Sequence, residues 1–142
     1  MFRTLIISLV MAGIVISIAL IISVSRRGAT AAQDKPRRIQ SFETSVTPSA
    51  VLHAITTLAR RSGYKIAFVD ETKGSLVLSD SVSLTSFGFF YPVFATPQGG
   101  GQTLVEVGIK SRAWQVGPIV TRHHNRCFNA VKAAISAISA AS

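Results

Sequence analysis

Thr47–Ser79 reads TPSAVLHAITTLARRSGYKIAFVDETKGSLVLS, and this stretch sets the fold class. Thr47-Pro48 is a helix start, a capping hydroxyl followed by proline at the first helical position. Val51, Leu52, Ile55, Leu58 and Ala59 then recur at helical spacing. Arg60 and Arg61 suit the last turn, where free carbonyls favour cations, and Gly63 is expected to close the helix in the left-handed region. Tyr64–Val69 follows as a strand with Tyr64, Ile66 and Phe68 on one face. Asp70–Gly74 is a turn, and Ser75–Ser79 returns with Leu76 and Leu78 facing the same way. One amphipathic helix feeding a hairpin predicts an antiparallel sheet rather than alternating βαβ units.

Working outward, Phe42, Thr44 and Val46 alternate with polar residues and predict a short strand before the helix. Leu84–Ala95 is a longer strand in which Pro92, lacking an amide donor, marks a bulge or an edge. Thr96–Gln102 is a flexible connection, and Thr103–Ser111 is a strand with Val105, Val107 and Ile109 inward. Gly117-Pro118 opens a closing helix with Cys127, Phe128, Val131, Ala134, Ile135 and Ile138 on one stripe. The expected order is β-α-β-β-β-β-α. This is an α+β domain over residues 41–142, a small antiparallel meander with two helices on one face. The glycines at 99–101 lack the strand–turn–helix setting of a phosphate loop.

The N-terminal side differs in kind. Thr4–Ser25 carries no charge, and its apolar residues (Leu5, Ile14, Leu20 and Val24 among them) are broken only by Thr4, Gly13 and serines. At 1.5 Å per residue the run reaches about 33 Å, against a hydrocarbon core of roughly 30 Å. Residues 1–25 are therefore expected to be a single membrane span. The alternative is a signal peptide cleaved after Ala29-Thr30-Ala31. The run's length and the Arg26-Arg27 pair that follows it speak against cleavage. Arg26–Gln40 is small, polar and basic and reads as a juxtamembrane linker. Arg26, Arg27, Lys35, Arg37 and Arg38 set the topology and attract anionic head groups. Their excess over Arg3 favours a cytoplasmic domain, export being the alternative.

Of the net charge of +9, the 41–142 domain holds nine Lys/Arg against five Asp/Glu. A domain so mildly basic, behind a linker without aromatics, does not point to nucleic acid. The single cysteine excludes a disulfide framework. His123, His124 and Cys127 are the one metal-type cluster, but adjacent histidines diverge by about 100° on a helix, so no metal or other cofactor is expected. The enzyme version would be a thiol or metal site centred on Cys127. It lacks an evident orienting carboxylate, and the chain reads as a non-enzyme. Phe87, Phe89, Phe90, Tyr91 and Phe94 place aromatics on both sides of one strand. Phe87, Phe89 and Tyr91 share a face opposite Phe90 and Phe94, and Trp114 lies on a loop. These six are candidates for a partner surface or for an apolar ligand held between sheet and helices.

The run GSLVLSDSVSLTSFG, then GGGQTLVEVG, then an Ala-rich closing helix resembles small α+β domains of uncharacterised bacterial proteins. In that pattern Ser83, Ser86, Phe87 and Gly88 fall on an S-x-x-S-[FW]-G strand. The resemblance implies the fold and membrane association, and no activity. The expected function is a membrane-anchored accessory domain that meets lipid and another protein. Its alternatives are an apolar-ligand binder or the Cys127 enzyme.

Overall fold

The computed structural model describes residues 13–14, 31–32, 34–81, 88–112 and 117–141. Strand β1 (Ile39–Thr44) leads into helix α1 (Pro48–Arg61), then β2 (Lys65–Asp70), β3 (Ser75–Ser79) and β4 (Phe89–Pro97). Strands β5 (Thr103–Gly108) and β6 (Lys110–Ser111) precede the long closing helix α2 (Pro118–Ala141). The sheet is antiparallel in the order β1-β5-β4-β3-β2, with β6 also on β4. The class is α+β, as expected. The meander β2 to β5 is closed by the first strand returning to the far edge.

Helix α1 begins as its sequence dictates. The Thr47 side chain accepts from the Ala50 amide at 3.4 Å, and Pro48 occupies the first turn. Its end differs from expectation. Ser62 terminates it in extended backbone (φ −120°), and Gly63 is absent from the positive-φ glycines. The left-handed position is needed instead at Gly74 (φ 63°), where a Cβ would lie 2.5 Å from the Ala95 carbonyl oxygen. Helix α1 covers β2–β4 and α2 covers β1 and β5, so both lie on one side of the sheet. Between helices and sheet sit Val51, Ile55, Leu76, Leu78, Phe89, Tyr91, Val93, Val105, Val107 and Val131, all at 0 % exposure.

Two strand expectations are corrected. Ile66 pairs with Leu78, but the register shifts before Phe68, which pairs with Val77. The bulge turns Phe68 to the other side of the sheet, where it packs with Val77 and Phe90. Pro92 is buried in the central strand, not at an edge, and no bulge accompanies it. β5 and β6 keep one continuous register against β4 and pause at Gly108–Ile109, opposite Pro92 and Tyr91. Alternation aims the missing Pro92 donor at that pause, since Ala95 donates the other way, to Gly74.

The outer side of the sheet is not the polar surface of a plain two-layer fold. Val77 (0 %) and Phe90 (4 %) are buried there, and the described residues against them are Ala31, Ala32 and Phe68. The chain then crosses to β5. Lys35 Nζ lies 2.7 Å from Glu106 and 5.8 Å from the Phe94 ring centre. Pro36 is seated where a Gly108 side chain would stand, and the Pro92 ring is next to the same spot. The end of the expected linker thus lies as a strap across the sheet before becoming β1.

Among the described residues no helix is long and apolar enough to cross a membrane. The expected span lies outside the described residues apart from Gly13 and Ile14, which are helical, with Ile14 48 % exposed.

Candidate functional site

A polar cleft of about 380 Å³ opens at the end of the sandwich where α1 runs into β2. It is lined by Ser62, Gly63 and Tyr64 from that junction, Asp80 and Ser81 after β3, and His123 and Arg126 from α2. Asp80 extends the β3–β4 pairing, its amide donating to the Phe89 carbonyl at 3.2 Å, and packing of α2 against α1 and the sheet brings His123 and Arg126 alongside.

Asp80 organises the floor. Its Oδ1 accepts from the Phe89 amide at 2.6 Å, and its Oδ2 accepts from the Tyr91 hydroxyl at 2.6 Å. His123 Nδ1 is 3.2 Å from Oδ2, and since a carboxylate only accepts, the ring proton sits on Nδ1. That leaves Nε2 of His123 as the other polar atom of the ring. Phe89 packs against the imidazole at 4.8 Å between centres, and Tyr64 meets Tyr91 edge to face at 5.7 Å. Asp80 and His123 side chains stay 16 % and 26 % exposed, open to a molecule in the cleft.

Behind them lie Tyr64 and the buried Cys127. Burial and the nearby Asp80 charge push the Cys127 thiol up to about 12, so it stays protonated at neutral pH. Burial also raises Tyr64, with the Cys127 charge next. For Tyr91 burial comes first, followed by its bond to Asp80. A fully buried, protonated thiol is not a nucleophile.

The sequence candidates scatter. His123 turns to Asp80, whereas His124 is buried and donates from Nε2 to the Val107 carbonyl at 2.7 Å. Among the described residues no three His, Cys, Asp or Glu side chains converge for a metal. Phe89 and Tyr91 are at 0 % exposure under the helices, so they are core and not a partner surface. Phe90 lies on the other side, as the alternation implies, beneath the Arg112 guanidinium at 4.6 Å. Phe94 is half-buried beside Lys35. Tyr91, Phe89, Leu76 and Ile55 are fully buried between sheet and helices. Arg37 is exposed and Arg38 reaches Thr121 at 3.5 Å. Phe87, Trp114, Ser83, Ser86, Leu5, Leu20, Val24, Arg26 and Arg27 lie outside the described residues.

Sequence reasoning passed over Asp80, Tyr64 and Arg126. The one available signal was an acid directly after the β2–β3 hairpin.

No family model matches the chain, and no curated protein matches it. Among solved structures it is similar to Ara h 8.0201, with TM-score 0.49 and 11 % identity over 74 % of this chain and 100 % of that one. It is also similar to a DUF4468 family protein from Bacteroides ovatus, with TM-score 0.38 and 16 % identity over 68 % of this chain and 85 % of that one. At these values neither likeness carries a function across.

Proposed function

We propose that the chain is a non-enzymatic binding domain tethered to a membrane by its N-terminal apolar run. Its ligand site is the cleft over Asp80 and His123. The observation that supports the site is the locked carboxylate. Three donors hold Asp80 in place, its remaining acceptor capacity faces the cleft, and Arg126 stands at the rim. A small polar molecule carrying a donor for Asp80 and an anionic group for Arg126 fits this pairing. Cys127, buried and protonated, speaks against the thiol-enzyme alternative. The tether is supported by the uncharged length of Thr4–Ser25 alone. The cations that follow it support a cytoplasmic domain.

Native mass spectrometry of the full chain released from detergent micelles tests the site. A small-molecule adduct on the wild type that is lost in Arg126→Ala supports it. No adduct, or one indifferent to Arg126→Ala, contradicts it. Resistance of the full chain to alkaline carbonate extraction tests the tether separately.

A further inference from the structure

We propose that the free edge of β2 pairs antiparallel with the same edge of a second copy of this chain, about a two-fold axis through the Ala67–Phe68 bulge. The two sheets then run on as one. This pairing depends on neither the membrane tether nor the Asp80–His123 cleft.

The bulge makes the edge self-complementary. Among the described residues β2 pairs only with β3, so its other edge presents backbone donors and acceptors that a further strand can take. Ile66 packs into the helix-side core and Phe68 into the outer cluster. Ala67 is the extra residue, and with Phe68 it fills one position of the ladder, opposite Val77. Alternation on either side of the bulge then puts Lys65, Phe68 and Asp70 on the outer side, with Ile66 and Val69 on the helix side. Position by position, β2 has Lys65 and Asp70 at its ends, Ile66 and Val69 inside them, and the bulge at its centre. A two-fold axis at right angles to the sheet keeps every side chain on its own side. It sets Lys65 opposite Asp70 of the second copy and Ile66 opposite Val69 of the second copy, and it makes each pair twice. Without the extra residue Lys65 and Asp70 would lie on opposite sides of the sheet, and neither pair could form.

A bulge ordinarily blunts an edge by upsetting its register. Placed at the centre, this one leaves two regular positions on each side of it. Val69 is 41 % exposed, one of three large apolar side chains so exposed among the described residues. It lines a groove of about 320 Å³ with Leu52 and Thr56 of α1, and Ile66 of the second copy would enter beside it. Asp70 has room for a cation. Its Oδ1 accepts from the Thr72 hydroxyl at 2.6 Å and the Lys73 amide at 3.1 Å, whereas Lys73 Nζ stays 3.9 Å from Oδ2. Lys65 is exposed. Opposite charges and apolar side chains facing each other across a strand pair are the contacts that stabilise it. The other end of the sheet offers no such match, since the one charged residue of β1 is Glu43.

The experiment uses the full chain in detergent micelles. Ala67→Cys stands at the axis, where paired Cα atoms are about 4.5–5.5 Å apart, within the span of a disulfide. Copper–phenanthroline is the oxidant, Ala133→Cys, exposed on α2, controls for random collision, and the wild type controls for buried Cys127. Disulfide dimer that forms much faster in Ala67→Cys than in Ala133→Cys supports the pairing. Lys65→Glu added to Ala67→Cys sets like charges opposite at both ends and is expected to slow the crosslink by about tenfold. Asp70→Lys added to that variant restores it, and so does molar salt, which screens the like charges without a further substitution. Equal rates at the two cysteines overturn the pairing and leave the edge to a different occupant. A fast Ala67→Cys crosslink that is indifferent to Lys65→Glu overturns it too, because the copies then meet by other contacts.

Discussion

The two sides of this sheet bury apolar residues by different means. On one side two amphipathic helices cover Leu76, Tyr91, Val93 and Val107 with long side chains from both partners. On the other a few residues before β1 lie over Val77, Phe90 and Gly108, using alanines, one proline and one lysine. The helix side gains its stability from interlocked volume, at roughly 25 cal/mol per Å² of apolar surface removed from water. The strap side depends on fit at a few points, chiefly a glycine that leaves room for a proline. A segment that is polar and basic in composition can therefore be part of the fold, and the chain between the fold and the uncharged run Thr4–Ser25 is shorter than a linker reading implies.

The comparison can be broken hardest on the helix side. Ile55→Ala removes a fully buried side chain from the α1–sheet contact and is expected to cost about 2–5 kcal/mol. Urea unfolding of the full chain in detergent measures it, and a loss under 1 kcal/mol contradicts the packing described. The same side has an alkaline signature. Cys127 is held near 12 when folded, while in the unfolded chain it ionises close to its ordinary 9.0. Its contribution is complete below about pH 9, then falls as pH rises towards 12, by up to a few kcal/mol. Tyr64 and Tyr91 are raised too, and they steepen the fall above pH 10. Stability that holds level between pH 9 and 11 is inconsistent with that burial.

The strap is sharpened by smaller changes. Gly108→Ala drives a methyl into Pro36 and is expected to cost about 1–3 kcal/mol while speeding trypsin cleavage at Arg37 and Arg38. Unchanged cleavage would show that Pro36 is not held there. Lys35→Ala loses one largely exposed ion pair with Glu106, worth at most about 1 kcal/mol and shrinking with added salt. A salt-independent loss points instead to its packing on Phe94.

Much of the helix side was legible in the sequence. Thr47-Pro48, the hairpin around Gly74 and the opposed faces of Phe89/Tyr91 and Phe90/Phe94 follow from local spacing, and they are as read. What escaped depends on contacts distant in sequence. The β1–β5 pairing joins Phe42 to Val105, which no local pattern records. The bulge that turns Phe68 over leaves its own strand pattern intact. Pro92 reads as an edge residue until the pause at Gly108 is seen to absorb its missing donor. The cleft escaped for the same reason, since Asp80 and His123 are 43 residues apart and meet at 3.2 Å only once α2 is packed on the sheet.

Removing residues 31–36 from the full chain, while keeping the N-terminal apolar run and everything from Arg37 onward, tests the strap most directly. Stripping its cover from Val77 and Phe90 is expected to cost a few kcal/mol, at about 1.5–3 kcal/mol for fully exposing one large side chain. The shortened protein should bind an apolar-surface dye severalfold more strongly than the intact one. An unchanged melting temperature with unchanged dye binding would mean that the strap is a mere linker, contrary to the account given of the outer side.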